Sequence, residues 1–256
     1  MKNVLITGTD SGLGEELMKV FRGPVSPLEP LNNVLGTVCQ VEGMEGDGGP
    51  DLPPDRVYLR FPSSNAVYNS FAREVKTRFE GSVDILVNNA AMNGLVPIMD
   101  LRTEDLDLFH RVNVAGPILI TKELIKIGAL NPGSIVLFIV SEASWKPMRY
   151  SLAYNLSKAA LRMAVEQMAR ELTKDTGVTF LGVSPGLIGD TAMTDHVMET
   201  TEAVRGWTRK DFLDYWRKSS VSGVPHTSYH LAELIKNILD SPGLASMSGA
   251  VMNLVS

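Results

Sequence analysis

The chain has 256 residues, with 24 basic against 29 acidic side chains and a formal charge of −5 at neutral pH. A hydrophobic content of 44% supports a full core, and an α/β chain of this length commonly stays undivided. The acidic balance argues against nucleic acid or an anionic membrane as a main partner, and no apolar run reaches membrane-spanning length.

In chain order, the first signal is Val4-Leu5-Ile6-Thr7, a strand-like run at 3–7 that enters Gly8-Thr9-Asp10-Ser11-Gly12-Leu13-Gly14. A helix follows at 13–22. A strand, a glycine turn and a helix start bring backbone N–H groups and the positive end of a helix dipole up to a pyrophosphate. The first strand begins almost at Met1, so no signal peptide is expected and the cytoplasm is the expected compartment. Gly23 to Leu31 is a long connection, in which Ser26-Pro27-Leu28-Glu29 suits the start of one short helical turn. Strands are expected at 34–39 and 56–61, separated by Gly- and Pro-rich residues 43–54 that cannot sustain a helix.

Beyond them the pattern predicts a helix at 65–79, a strand at 83–87, a helix at 103–128, a strand at 134–140, a helix at 151–175 and a strand at 178–183. Residues 189–226 are rich in Met, Trp, Phe and Tyr and read as a lid over a substrate pocket. A helix at 227–240 and a strand at 249–254 close the chain. Such alternation implies one Rossmann-like, doubly wound parallel sheet of about seven strands, helices on both faces, over a single domain 1–256. Ligands then bind beyond the carboxyl ends of the strands, where the strand order reverses. Cys39 is the only cysteine and the four histidines lack ligand spacing, so no metal is expected.

The strongest chemical signal is Tyr154-Asn155-Leu156-Ser157-Lys158. A tyrosine and a lysine four apart on a helix share a face. An adjacent ammonium favours phenolate and is expected to pull the tyrosine pKa below its ordinary value, giving an acid–base group for a carbonyl or an alcohol.

Taken together, these motifs resemble the short-chain dehydrogenase/reductase family over nearly the whole chain. Thr7-Gly8-x-x-x-Gly12-x-Gly14 matches its cofactor turn, and Asn88-Asn89-Ala90-Ala91 its fourth-strand motif. Asn113, Ser141, Tyr154 and Lys158 match its catalytic tetrad in order and spacing, and Pro185-Gly186-Leu187-Ile188 its turn after the sixth strand. The resemblance implies an oxidoreductase that moves a hydride between a nicotinamide cofactor and a secondary alcohol or ketone. It makes Tyr154 the acid or base, Lys158 its electrostatic partner and a ribose clamp, Ser141 the donor to the substrate oxygen, and Asn113 the holder of a water that links Lys158 to solvent. Ser144 is the rival to Ser141.

Cofactor contacts are implied at Gly8, Asp10, Ser11, Gly12, Leu13, Gly14, Cys39, Asn89, Ala90, Ala91, Tyr154, Lys158, Pro185, Gly186, Ile188 and Thr191. Asp190 stands where the family often has a threonine, so Thr191 enters by a one-residue slip. NAD is favoured over NADP, because neither the glycine turn nor the end of the second strand carries a cation for a 2′-phosphate. Phe61-Pro62 replaces the acidic residue that usually meets the adenine. The expected substrate is a small apolar or ring-bearing molecule, with Trp145, Met92 and Tyr150 completing the pocket. Apolar residues on helices 103–128 and 151–175 (Leu119, Ile120, Leu124, Ile127, Met163 and Met168 among them) suggest a homodimer or homotetramer. The alternative is a catalytically weak, cofactor-binding regulatory protein on the same scaffold.

Overall fold

The computed structural model describes residues 1–23, 32–41, 52–61 and 63–254. Seven parallel strands form its centre: β1 (Lys2–Ile6), β2 (Asn32–Val41), β3 (Arg56–Phe61), β4 (Ile85–Asn88), β5 (Ile135–Ile139), β6 (Thr179–Pro185) and β7 (Val251–Leu254). Their order across the sheet is β3-β2-β1-β4-β5-β6-β7. The order reverses between β1 and β4, so their carboxyl ends diverge and open a crevice there. Strands buried on both faces need continuous apolar runs, and Ile85-Leu86-Val87 and Val136-Leu137-Phe138 provide them.

Successive residues of a strand face opposite sides, and the core divides accordingly. Leu5, Leu86, Val136 and Phe180 pack on one side, under helices α2 (Asn65–Arg78), α4 (Gly116–Lys126) and α5 (Leu152–Thr176). Val4, Ile6, Leu137 and Leu181 pack on the other, under α1 (Gly12–Arg22) and α8 (Ser228–Asp240). No described helix is long and apolar enough to cross a membrane.

The sheet and the five expected helices stand close to their expected bounds, with three differences. The helix expected at 103–128 is α3 (Thr103–His110), a π-helical turn (Arg111–Ala115) and α4. The lid holds two helices, α6 (Ala192–Arg205) and α7 (Arg209–Ser219), each started by a threonine cap. The apolar residues assigned to an interface are mostly core: Ile120 and Leu124 are buried, while Leu119, Ile127 and Met168 pack against them. Leu152, Leu156 and Met163, at 37%, 53% and 62%, are the exposed large apolar side chains of α5. The short turn expected at 26–29, most of the loop 43–54, and Pro62 lie outside the described residues.

Candidate active site

The glycine turn is fixed from below. Gly8 N–H donates to Thr37 Oγ1 at 3.0 Å, and Asn89 Nδ2 donates to the carbonyls of Thr7 and Gly8 at 3.0 and 2.8 Å. Both Asn89 N and Ala90 N donate to Thr7 Oγ1 at 3.0 Å. A Cβ on Gly14 would stand 1.9 Å from the Gly8 carbonyl, and Gly8 itself has φ of +68°. Only glycines let the turn and helix approach this closely. Gly14 therefore serves packing rather than lining the crevice, whereas Gly8, Asp10, Ser11, Gly12 and Leu13 do line it.

A cavity of about 430 Å³ runs from this turn past Cys39, Asn89, Ala90 and Ala91 to Ser141, Tyr154 and Lys158, and under the lid. Its far wall is Pro185, Gly186, Ile188, Thr191, Met193, Phe212, Tyr215 and Trp216. Thr191 caps α6 by accepting from Thr194 N–H, and Asp190 turns away to accept from Ser228 N–H and Oγ at 2.8 and 3.0 Å. The one-residue slip thus has a physical basis: Asp190 fastens the lid to α8. Phe61, at the end of β3, is core as well as wall. Its ring fills the space beside Gly116, where a Cβ would come within 2.2 Å of it.

Tyr154 and Lys158 stand on α5 with their side chains almost wholly buried. Ser141 hydrogen-bonds the Tyr154 phenol, while the Ser144 hydroxyl is buried without a partner among the described residues. Ser141 is the member of that pair next to the tyrosine. Lys158 Nζ donates to the Ile139 carbonyl at 2.9 Å and lies 5.8 Å from the Tyr154 ring centre.

The electrostatics differ from expectation here. Burial raises the Tyr154 pKa, with Glu142 adding to the rise and Ser141 opposing it. Lys158 does not pull it down, because burial pushes the lysine itself to about 7.

Asn113, in the π-helical turn, is also buried. Its Oδ1 accepts from Met92 N–H at 2.8 Å, and its Nδ2 donates to the Met92 carbonyl and Ser157 Oγ at 2.9 and 3.0 Å. This amide is fully used in joining the β4 loop to α5, so Asn113 has a positioning geometry and does not line the cavity. Met92, pinned in this way, is not cavity wall. Nor is Trp145, which is 43% exposed with the Arg162 guanidinium 5.6 Å from its ring centre, nor Tyr150.

Sequence reasoning missed Asn155. Its Nδ2 donates to the Ala143 and Lys146 carbonyls at 2.6 and 2.9 Å, and its Oδ1 accepts from Met148 N–H. The loop bearing Ser141 is thereby tied to the helix bearing Tyr154. An asparagine inside a helix, where it is a poor helix former, is the signal that points to it.

The donor set fits a nicotinamide dinucleotide: the glycine cradle and the start of α1 suit a pyrophosphate, and the cavity leads from there to a phenol and an amine. The sequence pattern described as short chain dehydrogenase matches residues 63–202.

The chain belongs to the short chain dehydrogenase family.

A short chain dehydrogenase of Pseudocercospora fijiensis is 29% identical over 196 residues, which are 73% of this chain and 60% of that protein. An uncharacterized oxidoreductase of Bacillus subtilis, YvrD, is 28% identical over 240 residues, 93% of this chain and 88% of the other. Among solved structures, an actinorhodin polyketide ketoreductase variant with NADPH superposes with a TM-score of 0.77 at 22% identity, covering 98% of this chain and 95% of that one. At that identity the likeness concerns the fold.

The displaced lysine yields a test. Lys158 loses its proton near pH 7 when folded but near 10.5 when unfolded, so between those values the unfolded state binds more protons and raising the pH favours folding. The raised Tyr154 pKa acts the other way only above about 10. Without cofactor, the melting temperature of the wild type relative to Lys158→Met should climb from pH 7 to 9. The slope is at most about 1.4 kcal/mol per pH unit, or a few degrees. Parallel pH profiles for the two proteins would show that Lys158 is not a buried, displaced base.

Proposed function

We propose that this short chain dehydrogenase moves a hydride between a nicotinamide dinucleotide and the carbon of a secondary alcohol or ketone on an apolar or ring-bearing skeleton. The observation that carries the reading is the convergence of Tyr154, Ser141 and Lys158 at one end of a cavity whose other end is the glycine turn. When bound, the nicotinamide supplies the hydride for reduction and accepts it in oxidation. In the reductive direction Tyr154 Oη gives its proton to the carbonyl oxygen, and in the reverse direction it takes a proton from the alcohol. Its raised pKa keeps the phenol protonated at neutral pH, the form that reduction needs. Ser141 donates a hydrogen bond to the same oxygen as charge develops there.

Lys158 Nζ, its pKa pushed down by burial to about 7, is suited to hold the proton that restores Tyr154. Met193, Phe212 and Trp216 give the cavity an apolar wall on the lid side. A purely regulatory role is the weaker reading, since it gives no use to a buried phenol and a buried amine brought to one point.

NAD(H) is the proposed cofactor. The Asp10 carboxylate accepts from Cys39 N–H at 3.0 Å, at the carboxyl end of β2 beside the glycine turn. A carboxylate there accepts a hydrogen bond from a ribose 2′-hydroxyl and repels a 2′-phosphate. Asp10 thus does the work of the acidic residue that the end of β2 lacks. A cytoplasmic setting and a dimer or tetramer are part of the same proposal, the assembly resting on the exposed Leu156 and Met163 of α5.

Three outcomes are expected. Tyr154→Phe should lower kcat by about a hundred- to ten-thousand-fold with cofactor affinity nearly unchanged, and retention of more than about a tenth of the turnover would sink the mechanism. Asp10→Ser should shift the ratio of kcat/KM for NAD over NADP by about tenfold or more toward NADP. A wild-type preference for NADP would refute the assignment. In light scattering at micromolar concentration, the wild type should be a dimer or tetramer and Met163→Glu a smaller species. A wild-type monomer rejects the assembly.

A further inference from the structure

Where the lid meets the loop before α5, two guanidinium groups stand together without a counter-charge. The Arg149 and Arg205 Cζ atoms lie 4.8 and 5.2 Å from the centre of the Tyr150 ring, and Arg205 is also 4.8 Å from the Trp207 ring centre. Both arginines line the active-site cavity. No described carboxylate forms an ion pair with either, whereas Lys146 beside them is held by Glu142 at 3.5 Å. Arg205 donates from one terminal nitrogen to the Arg149 carbonyl at 2.6 Å, but its Nε is buried and has no hydrogen-bond partner among the described residues. An unpartnered buried donor of this kind destabilises the fold. Partial burial lowers the Arg205 pKa; the Arg149 charge adds to the fall, and Tyr215 and Tyr150 oppose it.

The backbone gives a second sign. Tyr150 is a non-glycine residue at φ of +67°, held by its carbonyl accepting from Val96 N–H at 2.7 Å. Left-handed backbone at such a residue is strained by about 1–2 kcal/mol and persists where its surroundings demand it. Here it presents the ring against which both guanidiniums rest.

The location identifies which molecule an anion would belong to. α6 is capped by Thr191, whose Cγ2 would lie 3.1 Å from a Cβ on Gly12 of the glycine turn. From there the helix runs to Arg205, about 20 Å away along its axis. Arg205 is therefore remote from the place of a pyrophosphate. Between the two ends, Met148, Met193, Val197, Phe212 and Trp216 make the wall largely apolar.

We propose that Arg205, assisted by Arg149, binds a carboxylate on the outer end of the substrate, which is then an oxo- or hydroxy-acid with an apolar skeleton between its reacting carbon and its acid group. The proposal rests on the dehydrogenase reading above and names its substrate class. The planar guanidinium fork suits a carboxylate, which can accept two parallel N–H bonds in its plane.

The test offers acids beside their methyl esters: 4-oxopentanoate, 7-oxooctanoate and 4-acetylbenzoate, each reduced with NADH and NADPH. At least one acid should exceed its ester in kcat/KM by about tenfold or more, and Arg205→Met should bring that ratio near one. Arg205→Lys, which keeps the charge and loses the fork, should retain part of the ratio. If no acid exceeds its ester, or if both Arg205 variants lower acid and ester by the same factor, the inference is overturned and Arg205 only braces the lid. If no compound is turned over, the dehydrogenase reading fails on its own. The anion site is then judged by calorimetric binding of 4-acetylbenzoate: at least tenfold weaker binding to Arg205→Met than to wild type supports it, and equal affinity rejects it.

Discussion

Everything that this site can do depends on the clamp that Asn89 and Thr7 make between the ends of β1 and β4. The two strands are neighbours at the point where the sheet order reverses, and their continuations must part to leave a crevice. Asn89 holds them in register by donating to the Thr7 and Gly8 carbonyls, while Thr7 Oγ1 collects two N–H groups from the β4 side. These bonds satisfy backbone groups that would otherwise be left open at the end of a buried sheet. They also hold the turn so close to α1 that only glycine fits at position 14, since any side chain would strike the Gly8 carbonyl. Residues expected to touch a cofactor thus divide into those that face the crevice and those that make it possible.

A second constraint is the burial of the Tyr154 and Lys158 pair. Tyr154 and Lys158 are buried on a helix that packs on the sheet, and desolvation acts on both in opposite directions. It keeps the phenol protonated and makes the amine easy to deprotonate. The helix spacing alone suggested a charged lysine that activates a phenolate. Burial instead brings the lysine into the neutral range, where a base can gain and lose a proton at working pH.

The sheet, its helices and the pairing of Tyr154 with Lys158 on one helix were legible because they depend on local signals: apolar runs, glycine turns and a four-residue helical spacing. The lid was legible only as a composition. Its helices are announced by Thr191 and Thr208 as caps and Gly206 as a stop, signals that an emphasis on its aromatic residues hid. The break between α3 and α4 was signalled by Gly116-Pro117, since a proline cannot donate within a continuing helix, and the π-helical turn before it adds a residue to the helical spacing. Trp145, Met92 and Tyr150 were misassigned to the cavity wall because their direction depends on partners far along the chain: Arg162 for the first, Asn113 for the second and Arg205 for the third. Phe61 shows the same limit. Its departure from the family pattern was visible, but not that Gly116, from a distant helix, leaves the space for its ring.

These observations also separate the parts of the molecule by the kind of force that holds them. The reacting groups sit on α5 and at the end of β5, where buried apolar side chains and the Asn155 and Asn113 networks leave little freedom. The lid is held at its root by directed polar contacts: the Asp190 bonds to Ser228, and the Ile188–His226 bridge. Its far end rests on ring stacking around Arg205. Directed contacts at the surface can rearrange at small free-energy cost, whereas a packed core cannot. The buried pair therefore stands on the rigid part of the fold and the lid on the adaptable part. A change in the lid surface within this architecture leaves the tyrosine, the lysine and the clamp beneath them untouched.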